Sequence, residues 1–138
     1  MSLDETDLRH LRRCVELARE ALEDGDETRH PEFEIAKWSA SHLTPEERAG
    51  ATVYTSGEHC AMCSAAHAWM GLGRIVYAVS TEQLVGWLTE WGVPPAPVRP
   101  LSVQEVAPGV PVDGPAPELA DEVRELHLQI QRRRGHVS

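Results

Sequence analysis

Ala51-Thr52-Val53-Tyr54-Thr55-Ser56-Gly57-Glu58-His59-Cys60-Ala61-Met62-Cys63 reads as a short strand, a glycine break and the opening of a helix that carries two thiols three residues apart. Ala51 to Thr55 supplies the strand, and the apolar run Ala61-Met62-Cys63-Ser64-Ala65-Ala66 supplies the helix. Residues three apart on a helix share a face, so both thiols can reach one ion. Well upstream, His30-Pro31-Glu32 adds an imidazole and, two residues on, a carboxylate. Proline at position 31 disfavours helix at His30 and suits the first helical position. That predicts an extended His30 and a helix from Pro31 to about His42, with Glu32 in its first turn. Two helix starts then point at one place, and their unpaired N–H groups and dipoles favour thiolate and hydroxide there.

One imidazole and two thiols form a donor set for zinc, which takes His nitrogen and Cys sulfur in tetrahedral geometry. Three protein ligands leave the fourth corner for water, and that separates a catalytic site from a closed structural one. Glu32 is then free to move protons between that water and a substrate.

The pattern H-x-E with a later C-x-x-C, in the context Tyr54 to Cys63, resembles the cytidine deaminase-like superfamily. Within it the chain is most similar to the branch with His as first ligand: guanine and cytosine deaminases, deoxycytidylate deaminases and tRNA adenosine deaminases. The likeness runs from about Thr28 to Val79, and the flanking helices agree in order and kind. It implies that His30, Cys60 and Cys63 hold one zinc ion per chain, with Glu32 as the proton shuttle. It also implies an α/β fold of three α-β-α layers, with a mixed central sheet and helices on both faces, and a homodimer with the metal helix near the interface. The activity it implies is hydrolytic deamination of a small amino-heterocycle, a cytosine- or guanine-type nucleobase or nucleoside. Zinc-bound hydroxide attacks the amidine carbon, Glu32 protonates the ring nitrogen and then the departing amine, and ammonia leaves. A tRNA adenosine deaminase and a non-catalytic zinc-binding homologue are the alternatives. Gly57, Glu58 and His59 in the turn before the metal helix, and Trp69 on that helix, are the candidate substrate contacts.

Two departures from the family pattern stand out. His59 occupies the position before the first Cys where the family usually has proline, and it adds a further nitrogen near the metal that is not expected to be a ligand. The family also places a β-hairpin, with a substrate-contacting Asn, between its first helix and the His ligand. Here Asp24-Gly25-Asp26-Glu27 runs almost directly into Thr28-Arg29-His30, although a two-stranded hairpin needs about 12 to 16 residues. Either the chain lacks two strands of the family sheet, or the 138-residue sequence omits a segment between about Asp26 and Thr28. The second is favoured, because losing both strands would strip one edge from the sheet that carries the site. A measured intact mass matching 138 residues would overturn it.

The remaining composition narrows the partners. The 138 residues, 41% hydrophobic and 25% charged, fit one soluble domain spanning 1–138. No apolar stretch approaches the ~18 residues of a membrane span, and no basic start precedes an apolar core, so the expectation is a cytoplasmic protein. Three cysteines, two of them at C-x-x-C spacing, make no disulfide framework. A formal charge of −9 repels phosphate backbones and argues against nucleic acid. Arg132-Arg133-Arg134, the one basic cluster, closes a helix whose first turn holds Glu118, Asp121 and Glu122, as the helix dipole favours.

Along the chain, Leu8, Leu11, Val15, Ala18 and Leu22 fall at helical spacing and predict a helix from about Asp4 to Asp24. Cys14 borders that stripe and reads as a small core residue. Arg74 to Val79 predicts a buried strand, and Ser80 with Gln83 predicts a capping box for a helix from Thr81 to Trp91. Val93 to Pro117 holds eight of the ten prolines, with Val98 to Val106 as a possible edge strand, and a last helix starts at about Pro117. His67 shares the face of the two thiols and reads as a pocket-lining or satisfied core histidine. Trp38, Trp87 and Trp91 read as core or interface residues.

Overall fold

β2, Ile75–Val79, is the centre of the fold: a five-residue run in which all but Tyr77 are buried, as a strand covered on both faces requires. The computed structural model describes residues 3–23 and 30–138. It places α1 at Glu5–Glu23, α2 at Pro31–His42, α3 at Pro45–Ala49, β1 at Val53–Gly57 and α4 at Ala61–Trp69. Beyond β2 come α5 at Thr81–Glu90, α6 at Val103–Val106, β3 at Val112–Asp113, a 3-10 turn at Pro117–Leu119 and α7 at Ala120–Arg133.

The sheet order is β1-β2-β3, with Val53 opposite Ile75, Gly57 opposite Val79 and Ile75 opposite Val112. Every pairing among the described residues is parallel, where a mixed sheet was expected. The reason is connectivity: α4 separates β1 from β2, and α5 and α6 separate β2 from β3, so each strand restarts from the same end. The hairpin question falls at 24–28 and lies outside the described residues.

Leu11, Val15 and Leu22 of α1 and Val123 and Leu126 of α7 pack with Val76, Ala78 and Val79 into the main apolar cluster. Truncating a fully buried leucine such as Leu11 to alanine costs about 2–5 kcal/mol in such a setting. α2 packs on α4, and α4 on α6, which groups the helices that bear the candidate site. A buried polar knot ties α1 to all three strands. Arg74, just before β2, donates through Nη1 and Nη2 to the Asp7 carboxylate at 3.0 Å each, and through Nε to Asp113 at 2.7 Å. The Tyr54 hydroxyl completes it, 2.9 Å from Asp7.

The predicted edge strand at Val98 to Val106 is corrected. Ser102 and Glu105 form a reciprocal capping box, with Glu105 N–H 3.2 Å from Ser102 Oγ and Ser102 N–H 2.9 Å from Glu105 Oε1, so Val103–Val106 turns helical. The third strand forms instead at Val112–Asp113. Thr44 and Glu47 make a like box that starts α3, with Pro45 at its first position. That helix was missed although its signal, Thr-Pro-x-Glu, is local and legible.

Candidate metal centre

α2 and α4 each open on a ligand. His30 occupies the position before α2 in a non-helical conformation (φ −107°, ψ 83°), and its carbonyl accepts from the Phe33 and Glu34 N–H groups at 3.0 and 3.2 Å. Pro31 thus starts the helix and leaves the imidazole free of it. Cys60 caps α4 in an extended conformation, its sulfur accepting from the Cys63 N–H at 3.5 Å, and Cys63 lies fully buried in the first turn. The Nδ1 atom of His30 stands 3.7 Å from the Cys60 sulfur and 3.6 Å from the Cys63 sulfur.

Those separations test the fit to zinc. With Zn–S near 2.3 Å and Zn–N near 2.0–2.1 Å, a tetrahedron puts its nitrogen and sulfur ligands about 3.5 Å apart. The three donor atoms lie within 4.8 Å of one another, so one ion can touch all three. The electrostatics ask for a cation. Burial, then the neighbouring Cys60 thiol, then Glu32 push the Cys63 thiol up, toward its neutral form. A divalent ion among the donors reverses that sign.

Glu32 lies in the first turn of α2, half-buried, and its carboxyl is raised above the usual carboxylate range by burial, with His30 acting in the opposite direction. Its charge is felt by Cys63 and also by Cys14 of α1, whose thiol burial raises to about 11 with Glu32 adding to the shift. The reading of Cys14 as a core residue did not anticipate that neighbour.

The remaining candidates do not join the triad. Glu58 is occupied: its Oε1 accepts the Thr81 N–H at 2.9 Å and its Oε2 the Val103 N–H at 2.8 Å, so one carboxylate binds the starts of both α5 and α6. Gly57 ends β1, its carbonyl accepting the Thr55 hydroxyl at 2.7 Å. His59 is buried, neither ring nitrogen hydrogen-bonded among the described residues, and lies edge-on to His67 at 5.4 Å. Burial, and then His67, lower its pKa to about 3, so it is neutral. His67 itself is a satisfied core histidine, its Nε2–H donating to the Gly73 carbonyl at 2.7 Å. Trp69 closes α4 and is 84% exposed, about 13 Å along the helix from Cys60. A cleft of about 440 Å³ lies beyond Glu58, lined by Tyr77, Ser80, Thr81 and Val85; none of His30, Glu32, Cys60 or Cys63 lines it.

No protein-family model matches the chain. Over 100 residues it is 32% identical to a protein of Schizosaccharomyces pombe named probable cytosine deaminase, an alignment that takes in 72% of this chain and 60% of that protein. The chain therefore spans about 60% of that relative's length. The likeness and the convergence of His30, Cys60 and Cys63 point the same way, and the chain belongs to the cytidine deaminase-like superfamily.

Proposed function

We propose that this chain is a single-domain, zinc-dependent hydrolytic deaminase acting on a small amino-heterocycle, a nucleobase or nucleoside of cytosine or guanine type. The observation that carries the reading is the convergence of one imidazole and two thiols at two helix starts, with a half-buried carboxyl, Glu32, two residues from the imidazole. The relative's name, probable cytosine deaminase, supports the reaction class. His30, Cys60 and Cys63 would hold the ion, one per chain. Zinc supplies Lewis acidity, lowering the pKa of water toward neutrality.

The rest of the chemistry belongs to the chain. Glu32 takes a proton from water and passes it to the ring nitrogen as the amidine carbon is attacked, then takes the remaining proton from the added hydroxyl and delivers it to the departing amine, so that the C–N bond breaks as the carbonyl forms. Ammonia and a ring carbonyl result. Burial suits Glu32 to this, because a carboxyl raised above the usual carboxylate range is a stronger proton acceptor than an exposed one. The helix dipole at Cys60 stabilises negative charge beside the reacting carbon. The three-layer arrangement, a cytoplasmic location and a homodimer belong to the same proposal. Exposed Ile35 and Trp38 on α2, with Met62 and Trp69 on α4, give the dimer an apolar surface. Monomeric elution at micromolar concentration would remove the dimer from the proposal.

The test is ammonia release by the zinc-loaded protein from cytosine, guanine, adenine and their nucleosides, beside Glu32→Ala. Release that disappears in the variant while zinc is retained supports the reading and names the ring. Silence on every small substrate with stoichiometric zinc overturns it. The tRNA and non-catalytic alternatives would then stand, the former weakened by the net charge of −9.

A further inference from the structure

We propose that Arg48 is a positioning residue for the metal-binding triad. By tying together the C-terminal ends of α2 and α4, it holds the two N-terminal ends, and with them His30, Cys60 and Cys63, at ligand distance. The proposal rests on reading those three residues as a metal site.

Arg48 sits on α3 and is half-buried. Its Nε–H donates to the carbonyl of Met70, the residue that ends α4, at 2.7 Å. Its Nη1 donates to the carbonyl of Leu43, the residue that ends α2, at 2.7 Å, and to Ser39 in the last turn of α2 at 3.3 Å. A single planar guanidinium therefore satisfies the orphan carbonyls of two helices at once.

Those two helices pack against each other, and both of their ends are matched. At one end His30 lies within 3.7 Å of Cys60 and 3.6 Å of Cys63; at the other, the closing carbonyls of both helices meet Arg48. α2 and α4 therefore run side by side in the same direction, over 12 and 9 residues, a rise of about 18 and 13 Å. Parallel neighbours repel through their dipoles, since each C-terminus carries about −0.5 of a charge and each N-terminus about +0.5. The two negative ends sum to about one charge, which the guanidinium offsets. The two positive ends sum likewise at the donor end. Without Arg48 the carbonyl ends lose their shared donor and repel, and the pair is pinned only at the ligand end. Arg48 is itself fixed from behind, by the Thr44–Glu47 capping box and by its own N–H 2.9 Å from the Thr44 carbonyl.

The experiment compares full-length wild type with Arg48→Gln and Arg48→Lys. Helix content is followed by far-ultraviolet circular dichroism, zinc affinity by chelator competition, and ligand geometry by the visible and thiolate charge-transfer bands of the cobalt(II)-loaded protein. The expected result is wild-type helix content with zinc affinity about tenfold or more weaker in Arg48→Gln, the range typical of losing an outer support of a metal site, together with altered cobalt bands. Arg48→Lys, which keeps the charge but not the fork, should fall between. A folded Arg48→Gln with wild-type affinity and an unchanged cobalt spectrum overturns the proposal and leaves the metal site standing. If that variant does not fold, Arg48→Lys decides by the same two signals. Wild type that shows no thiolate-to-cobalt band overturns the metal reading itself, and this proposal with it.

Discussion

Two polar clusters in this molecule are built on opposite terms. In the knot at the base of the sheet, each charged partner is another residue of the chain: Arg74 lies between the carboxylates of Asp7 and Asp113, and Tyr54 donates to Asp7. The Asp7 carboxyl is accordingly held far below the carboxylate range, chiefly by its hydrogen bonds from Arg74. At the helix starts the neighbours are alike rather than complementary. His30, Cys60 and Cys63 meet one another within the electrostatic reach of Glu32, and both Cys63 and Glu32 are pushed toward their neutral forms. A cluster that its own chain completes is architecture; one whose donors converge on each other is suited to something brought from outside, here a cation.

The sharpest way to test that contrast is to remove one group from each cluster and read both stability and chemistry. Glu32→Gln should lower turnover by about 10²–10⁴-fold, the usual worth of a positioned acid–base group, with zinc content and melting temperature near wild type. Retained turnover would end the assignment of the shuttle. Asp7→Asn should do the reverse, costing about 1.5–3 kcal/mol in urea denaturation because a buried position loses its charge-assisted hydrogen bonds from Arg74, which keeps only Asp113, while zinc stoichiometry is kept. A cost near zero would show that the knot is not architectural.

The knot also sets an acid limit. Its folded-state pKa is depressed, so the stability from Asp7 is fully present above the unfolded value of about 3.9 and is lost as pH falls below it toward the folded value. Denaturation midpoints should therefore fall steeply below about pH 4 in wild type and much less in Asp7→Asn. Parallel acid curves for the two proteins would contradict this. The smallest effect is expected at His59, which is buried with no hydrogen-bond partner among the described residues. Its replacement by leucine should leave stability unchanged or raise it, by up to about 1–3 kcal/mol, since an unsatisfied polar group is removed. A marked loss would mean that the imidazole has a partner, such as an ordered water.

Much of this was legible in the chain, and the successes share a cause. Pro31 and the residues after it fixed α2 at Pro31–His42, and Ser80 with Gln83 placed the start of α5, because caps and proline act within one turn. The edge strand at Val98 to Val106 failed for a related reason: the Ser102–Glu105 box is as local as the one at Ser80 but was outweighed by β-branched residues nearby. Glu58 illustrates the opposite limit. Next to a candidate ligand it reads as a substrate contact, yet it caps two helices that begin 23 and 45 residues later.

The sequence by itself determined the donor types, their placement at helix starts and the superfamily they belong to, because ligand chemistry and helix capping depend on residues within a turn of one another. Only the tertiary structure decided which charges became architecture. Asp7 meets Arg74 across 67 positions, Arg48 meets Met70 across 22, and the His59 ring nitrogens are buried without a hydrogen-bond partner among the described residues. Such partnerships follow from where the chain closes on itself, and no local spacing encodes that.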